Sequence, residues 1–474
     1  MTKETPPISP FPMGQAVRQA YARGEDDEAM NPLVLVDRAG QPVGRVQDGD
    51  YVIFYDLRGE REIELTQAFT EPHFPHFTRR SVTVPFATMI QYDPDLRVRV
   101  AFPPLEEIQD TLCETVSRHG LRQVKVAESE KAIHIGYFLN GKRKEPFPGE
   151  ETVIVPSPHG ADYTQVPEMS AAGVAQAAIR TLQDPTVALT IVNFANVDVV
   201  GHSEDAAAIK RAVAEVDRCL GLVVQAAQAA GVVPLITADH GTVERWLYPD
   251  GVIDTGHTAS PVPFVVATPA LGDAALRPDG ALTDIAPTVL GLLGLPLPAA
   301  MTGRSLFASP LPQSFGRVLL VILDGWGLND DARGNLIAAA STPVMDALTA
   351  HLPHTRLQAA GEWVGLSVGA VGNSEVGHLH MGAGRLFPSD RSRIDQAIAD
   401  GSYFQNEVFR WAMQGARQAG TRLHLLGIVS FYSSHGAVEH LLALMRMAKQ
   451  EGAPEVYIHG MLGRRGERPE SGAA

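Results

Sequence analysis

Aspartate and histidine residues stand at the ends of several apolar runs of the sequence. In chain order they are Asp198, His202, Asp239, His240, His257 and Asp324. Asp198 and His202 are four residues apart, so that one helical turn presents both to a common point. Three carboxylates and three imidazoles suit a pair of divalent cations such as Mn²⁺ or Zn²⁺ better than a single Mg²⁺. The set therefore predicts a two-metal site, although each residue alone is typical of an ordinary turn or surface position.

A candidate nucleophile, Ser374, lies in the segment GNSEVGHLHMGAGR, just before a predicted helix. Serine at a helix N-terminus commonly caps the helix, which is the simpler interpretation. Beside a two-metal site, however, a metal can hold the hydroxyl as an alkoxide, and the helix amides can receive a phosphate group. We therefore expect Ser374 to be a nucleophile.

Apolar runs of strand length alternate with longer amphipathic stretches, which predicts an α/β fold with a parallel sheet. Strands are expected at 190–194, 232–237 and 318–323. Helices are expected at 206–230 and 438–452, where apolar residues recur at helical spacing. In such sheets ligands bind beyond the carboxyl ends of the strands, where the candidate residues stand.

Composition narrows the class of protein. The 474 residues suit two to three domains, and a formal charge of −15 opposes sequence-independent binding to nucleic acid or anionic lipid. With two cysteines and no apolar run of membrane-spanning length, the sequence predicts a cytoplasmic protein. We expect no nucleic-acid partner, no membrane association and a monomer.

The motifs DGWG, GNSEVGH, NFANVDVVGH, TADHG, HTASPVP, PFPGEE and AESEK together resemble the cofactor-independent phosphoglycerate mutases of the alkaline phosphatase superfamily. The resemblance covers nearly the whole chain, but in a different order. In the family DGWG lies near the N-terminus and TADHG near the C-terminus, whereas here DGWG follows TADHG. The chain therefore resembles a circularly permuted member of the family.

The resemblance implies two domains: an alkaline-phosphatase-like doubly wound sheet and a smaller α/β phosphotransferase-type domain. In the permuted order the phosphatase domain is expected at 105–388, across a fusion joint near 308–316. The transferase-type domain is expected from both ends of the chain, at 1–104 and, in incomplete form, at 389–474.

The resemblance also implies a site. One manganese ion would be bound by Asp198, His202 and His257, and a second by Asp324, Asp239, His240 and Ser374. Ser374 would accept the phosphoryl group of 3-phosphoglycerate and return it to the neighbouring hydroxyl, giving 2-phosphoglycerate. The substrate-binding residues implied are Lys131 in AESEK, Arg58 and Arg61 in YDLRGERE, His435 and Arg465.

The transferase-type part departs from the family pattern. The family's SDGGVHSH segment appears as SFYSSHGAVEH, which keeps His435, and its LDGRD segment appears as LGRRGE, with Arg465 but with Gly466 in place of the catalytic aspartate. A segment with two substrate arginines has no counterpart. Two alternatives to a mutase therefore stay open: a manganese-dependent phosphatase of a small phosphate ester, and a non-catalytic remnant.

Overall fold

The computed structural model describes residues 12–25, 27, 30–57, 60–104, 108–158, 160–271, 274–311, 313–431, 435–463 and 472. The chain divides into two compact units. The smaller unit consists of Met1–Pro104 and Asp390–Ala474, and the larger unit is Leu105–Ser389. Each unit contains a sheet flanked by helices, so the predicted α/β class is confirmed.

The helices and strands are numbered separately in chain order. The helices are α1 (Pro12–Ala22), α2 (Glu60–Thr70), α3 (Leu112–Arg118), α4 (Ala171–Leu182), α5 (Asn196–Gly201), α6 (Ala206–Ala229), α7 (Ile285–Leu293), α8 (Pro343–His351), α9 (Ser374–Ala383), α10 (Asp390–Asp400), α11 (Glu407–Ala419) and α12 (Val438–Glu451). The strands are β1 (Tyr51–Phe54), β2 (Phe86–Ile90), β3 (Arg99–Phe102), β4 (Arg122–Glu128), β5 (Glu150–Val155), β6 (Val187–Phe194), β7 (Val233–Thr237), β8 (Val262–Val266), β9 (Gly280–Ala281), β10 (Val318–Leu323), β11 (His354–Gln358), β12 (Leu423–Ile428) and β13 (Val456–Met461).

The larger unit is built on an eight-stranded sheet of order β5-β4-β6-β10-β7-β8-β11-β9. The five neighbouring strands β5, β4, β6, β10 and β7 are parallel to one another. Strand β10 lies between β6 and β7, and all six of its residues are buried. One edge of the sheet departs from the predicted parallel arrangement, because β8 runs antiparallel to β7 and to β11. Between β7 and β8 the chain turns back through a bridge of Gly241 with Thr258, without the helical crossover that a parallel connection needs.

The longest helix, α6, covers this sheet as the apolar spacing predicts. Its buried positions include Ile209, Val213, Val216 and Leu220. The Asp205 side chain accepts hydrogen bonds from the first-turn amides, which caps the helix at its N-terminus. Burial of one apolar stripe and a capped start explain why this segment forms a helix.

The smaller unit contains a five-stranded parallel sheet of order β13-β12-β1-β2-β3. Helices α11 and α12 supply apolar side chains to one core of this unit, among them Phe409 and Leu444, which pack with Ile53 and Leu425 of the sheet. Val52 and Phe54, which alternate with Ile53 along β1, belong to a second apolar cluster. Among the described residues, no helix is both long and apolar enough to cross a membrane.

The predicted fusion joint is a surface segment of the larger unit. Ala308, Ser309 and Pro310 are exposed. The chain is then anchored where the Phe315 amide donates to the Leu292 carbonyl, before β10 enters the sheet. The permuted order itself stays a prediction.

Candidate metal centre

Three neighbouring strands of the larger unit carry the acidic residues beyond their carboxyl ends. Asp324 follows β10 directly, Asp239 lies two residues beyond β7, and Asp198 lies in α5, which follows β6. The Asp198 amide donates to the Asp324 carbonyl at 3.1 Å. Because β6, β10 and β7 are adjacent and parallel, their ends bring the three carboxylates to one edge of the sheet.

Among the described residues, two sets of side chains bring possible metal ligand atoms within 4.8 Å of one another: Asp198 with His240 and His257, and Asp239 with His240 and Asp324. His240, predicted for one metal only, is therefore within reach of both. His202 lies beside the first set, with its Nε2 3.4 Å from Asp198 Oδ1 and 3.2 Å from His257 Nε2. The structure thus brings all six predicted ligands of the sheet edge together.

The histidines are oriented for cation binding. Their Nδ1 atoms lie 2.8 to 3.1 Å from backbone carbonyls: His202 from Thr255, His240 from Gly241 and His257 from Gly372. A carbonyl only accepts, so each Nδ1 carries a proton, and Nε2 is the ring atom that each histidine can offer to a cation. All three Nε2 atoms lie 3.1 to 3.6 Å from Asp198 Oδ1.

The carboxylates also suit a cation. Asp198 Oδ1 and Asp239 Oδ2 are buried, and neither has a hydrogen-bond partner among the residues that the structure describes. A buried carboxylate oxygen without a partner is costly unless a cation neutralises it. Mixed oxygen and imidazole donors are typical ligands of Mn²⁺, Zn²⁺ and Co²⁺. The residues present therefore fit divalent cations.

Lys131 and Ser374 complete the cluster. Lys131 Nζ donates to Asp198 Oδ2 and Asp324 Oδ1, both at 2.6 Å, and to Ser374 Oγ at 2.8 Å. Ser374 Oγ also lies 3.0 Å from His240 Nε2 and 3.2 Å from Asp324 Oδ1. The Asn373 side chain caps α9 by accepting from the Val376 amide, so Ser374 is the first residue of the helix and not its cap.

The charges of the cluster are strongly coupled. Burial alone would lower the pKa of Lys131, but the carboxylates of Asp198, Asp324 and Asp239 outweigh it and raise the pKa. For Asp198 burial has the opposite effect and would raise the pKa. The nearby Lys131 ammonium and the imidazoles outweigh burial and hold the pKa of Asp198 well below its usual range. The centre therefore keeps a protonated lysine beside an ionised carboxylate.

Two residues that sequence reasoning missed support this centre. Asn193, near the end of β6, donates from Nδ2 to Asp324 Oδ2 at 2.8 Å. His378 lies one helical turn after Ser374, with its Nδ1 3.3 Å from Asp239 Oδ2. Its spacing of four residues from Ser374 on one helix was the available signal.

The remaining predicted site residues belong to the smaller unit. Arg58 and Arg465, like Gly466, lie outside the described residues, and so does the side chain of Arg61, whose backbone is part of α2. His435 is described, and its Nδ1 lies 3.0 Å from Glu62 Oε1.

A family model described as "Metalloenzyme superfamily" matches residues 43–297, which is more than half of the chain. The chain belongs to the metalloenzyme superfamily. A second model, described as the N-terminus of BPG-independent phosphoglycerate mutases, matches residues 394–474. In this superfamily member the match to an N-terminal model thus lies after the metalloenzyme match.

Two relatives of this metalloenzyme carry the same name. The chain is 43% identical over 310 residues to a 2,3-bisphosphoglycerate-independent phosphoglycerate mutase of Thermosynechococcus vestitus, covering 64% of this chain and 57% of the relative. It is 43% identical over 305 residues to the mutase of the same name from Thermomicrobium roseum, covering 62% and 58%. The chain thus spans little more than half the length of these curated relatives.

A solved structure is also similar to this metalloenzyme. The crystal structure of Leishmania mexicana phosphoglycerate mutase at low cobalt concentration matches with a TM-score of 0.51 and 30% identity, covering 62% of this chain and 57% of that chain. The resemblance to cofactor-independent phosphoglycerate mutases that the motifs indicate is confirmed.

Proposed function

We propose that the chain is a 2,3-bisphosphoglycerate-independent phosphoglycerate mutase that interconverts 3-phosphoglycerate and 2-phosphoglycerate through a phosphoserine at Ser374. One observation carries the proposal. Ser374 Oγ lies at the N-terminus of α9 and within 3.2 Å of Lys131 Nζ, His240 Nε2 and Asp324 Oδ1. A hydroxyl among metal ligands, an ammonium group and helix amides is suited to phosphoryl transfer.

The two cations would be held by Asp198, His202 and His257, and by Asp239, His240, Asp324 and Ser374. A pair of divalent cations bound there supplies Lewis acidity to the serine oxygen and the phosphoryl oxygens. We propose Mn²⁺ as the cellular ion, and a monomeric protein of the cytoplasm.

The chain's own residues would carry out a double transfer. Ser374 loses its proton, and its Oγ bonds to phosphorus as the ester bond at the 3-position breaks and the glycerate oxygen takes up a proton. The 2-hydroxyl of the retained glycerate then loses a proton and bonds to phosphorus, while Ser374 leaves and regains its proton. Lys131 Nζ, 2.8 Å from Ser374 Oγ, would stabilise the negative charge of the oxygens around phosphorus throughout.

We also propose a circularly permuted domain order. The larger unit would be the phosphatase domain and the smaller unit the transferase-type domain. The metalloenzyme match at 43–297 precedes the mutase N-terminal match at 394–474, which supports the permuted order.

A phosphatase is the second candidate. Gly466 stands where the resemblance expects the catalytic aspartate. Loss of that carboxylate would allow water to attack the phosphoserine. The intact ligand set argues against a non-catalytic remnant, the third alternative.

Phosphorus NMR of the manganese-loaded protein with 3-phosphoglycerate tests the proposal. We expect 2-phosphoglycerate to form without inorganic phosphate. Inorganic phosphate alone would establish the phosphatase, and absence of bound metal and of phosphoserine would establish the remnant.

A further inference from the structure

Asn193 of the larger unit is a polar residue between two apolar neighbours, one position before the end of β6. Its side chain is fully buried. The Nδ2 atom lies 2.8 Å from Asp324 Oδ2 and 3.0 Å from His378 Nε2, and Oδ1 has no hydrogen-bond partner among the residues that the structure describes. A buried amide oxygen without a partner costs free energy. The two contacts of Nδ2 are therefore the gain that offsets this cost.

The neighbours of Asn193 determine the orientation of its amide. Nδ2 carries two hydrogens, one for each of the two acceptors that it meets. In the reversed amide, Oδ1 would lie against Asp324 Oδ2, so that two acceptor oxygens would oppose each other. Nδ2 therefore donates to both neighbours, and Nε2 of His378 accepts as the unprotonated nitrogen of its ring.

His378 extends this contact to the helix that carries Ser374. Its ring is fully buried, and its Nδ1 lies 2.8 Å from the Ser374 carbonyl oxygen and 3.3 Å from Asp239 Oδ2. A carbonyl only accepts, so Nδ1 donates to it. The ring thus connects Asn193 with the first residue of α9, which is the proposed nucleophile.

Asn193 also determines which oxygen Asp324 presents to the rest of the centre. While Oδ2 accepts from the amide, Oδ1 lies 2.6 Å from Lys131 Nζ, 3.2 Å from Ser374 Oγ and 3.6 Å from His240 Nε2. A carboxylate without such a partner could rotate, whereas this one keeps Oδ1 in a single position. Hydrogen-bond partners of metal ligands are typically worth about 10- to 100-fold in metal affinity or activity.

We propose that Asn193 and His378 are positioning residues, which together hold the Asp324 carboxylate and the main chain of Ser374 in one arrangement for the second cation and for phosphoryl transfer. The second cation is the one that would be held by Asp239, His240, Asp324 and Ser374. The part of this inference that concerns phosphoryl transfer rests on the proposed mutase function, whereas the part that concerns the cation does not.

The first test is Mn²⁺ affinity, measured on the full-length protein without substrate by isothermal titration calorimetry and by electron paramagnetic resonance of free Mn²⁺. Asn193→Ala should weaken the binding of one cation by about 10- to 100-fold and leave the other nearly unchanged, because only one ligand set includes Asp324. Equal weakening of both cations, or no weakening of either, would overturn the inference.

An Asp324→Ala background shows whether Asn193 acts through Asp324. Adding Asn193→Ala to this background should cause no further loss of Mn²⁺ affinity, and a further loss would overturn the inference. The matched control is Asn335→Ala, because Asn335 is also a buried amide of the larger unit and bonds to the Asn329 carbonyl and the Ala338 amide. This control should keep the Mn²⁺ affinities of the unmodified protein even if its unfolding temperature falls.

The second test leaves Asn193 unchanged and so does not depend on the folding of a variant at that position. It uses ¹⁵N NMR of the metal-free, histidine-labelled protein, with His378→Phe to assign the signals of His378. The ring should carry its proton on Nδ1 and none on Nε2. A proton on Nε2 would leave the Asn193 amide without an acceptor there and would overturn the inference.

The third test is the rate at which 3-phosphoglycerate phosphorylates Ser374, measured by quenched flow at saturating Mn²⁺. His378→Phe keeps an aromatic ring but removes both nitrogens, and should lower this rate by about tenfold or more. In the Asn193→Ala background it should lower the rate by a smaller factor, because the two residues act through one connection. The same factor in both backgrounds would overturn the shared role.

Failure of this inference can be distinguished from failure of the proposed function. If the unmodified protein neither phosphorylates Ser374 nor interconverts phosphoglycerates, the proposed function fails, while Mn²⁺ affinity and the position of the His378 proton still test the positioning role. Full mutase activity together with unchanged Mn²⁺ affinity in Asn193→Ala would reject the positioning role alone.

Discussion

Ser374 is surrounded by groups that favour its ionised form. Its Oγ accepts from Lys131 Nζ and lies within 3.2 Å of a carboxylate and an imidazole. A serine hydroxyl is a weak nucleophile in water, so these neighbours are what make covalent catalysis reasonable.

Ser374→Ala should abolish phosphoenzyme formation because the only atom removed is the proposed nucleophile. Metal content should remain mostly intact, since the aspartates and histidines are unchanged. Intact-protein mass spectrometry after incubation with 3-phosphoglycerate measures the phosphoserine. The control is Ser341→Ala, at an exposed serine of the same unit. Continued turnover by Ser374→Ala would remove the covalent mechanism.

Asp56 provides a pH prediction. Burial raises its pKa from an ordinary value of 3.8 to about 8. Between about pH 4 and pH 8 the unfolded chain releases this proton while the folded chain keeps it, so the free energy of unfolding falls as pH rises. Asp56→Asn cannot release a proton, so its free energy of unfolding should not fall with rising pH for this reason.

The variant should therefore gain stability over the unmodified protein progressively from about pH 4 to pH 8, by a few kcal/mol at about 1.4 kcal/mol per pKa unit. Thermal unfolding across this pH range measures the difference. Asp95→Asn, at an exposed aspartate of the smaller unit, is the control. A difference that does not depend on pH would contradict the raised pKa.

The cluster of aspartates and histidines could be predicted from the sequence because its members stand near apolar runs that form strands. Asn193 and Glu62 could not be predicted. Asn193 is inside a strand, where a buried amide has no distinctive pattern, and its role depends on Asp324, which is 131 residues away in the chain. Glu62 is paired with His435 across 373 residues, a contact that only the fold determines.

At the scale of elements, α9 and the end of β7 approach closely. A Cβ on Gly377 would lie 2.6 Å from the Asp239 carbonyl oxygen and 2.9 Å from Asp239 Cβ. Both contacts are shorter than packed atoms tolerate, so a side chain here must displace the helix that carries Ser374.

Gly377→Ala should consequently lower the rate of phosphoenzyme formation by about 100-fold, since a shift near 1 Å misplaces the nucleophile. Quenched-flow measurement of the phosphoserine gives this rate. The matched control is Gly291→Ala in α7, where a Cβ would meet open space and should be neutral or slightly stabilising. Equal rates for the two variants would show that α9 does not require its close approach.

Elements with strong periodicity could be predicted, such as α6 and β10, because burial on one helix stripe or along a whole strand leaves a clear pattern. The antiparallel β8 could not, since its apolar run has the same appearance in either direction. The direction of β8 depends on the segment that connects it to β7, in which Gly241 forms a β-bridge with Thr258.

At the scale of the whole molecule, the surface segment at 308–311 joins two parts that share one sheet. Strand β10 follows this segment and pairs with β6 on one side and β7 on the other. The motif order predicts the permutation, whereas the position of β10 at the centre of the sheet required the structure.

A protease site inserted after Ser309 should therefore be cleaved without separating the two fragments, because every residue of β10 is buried between strands of the other fragment. Size-exclusion chromatography of the nicked protein should give the elution volume of the uncut chain, and its metal content should be retained. Denaturant provides the positive control for separation. If the two fragments eluted separately in native buffer, the intact segment at 308–311 would be needed to hold them together, and the prediction would be wrong.

The central place of β10 also bears on how the protein is made. On the ribosome, β6 and β7 are synthesised before the strand that separates them, and the gap from Thr237 to Leu323 corresponds to roughly 4–17 s of translation at about 5–20 residues per second. During that interval the facing edges of β6 and β7 have no native partner. Nascent chains of this order should therefore depend on chaperones more than chains that deliver the central strand first.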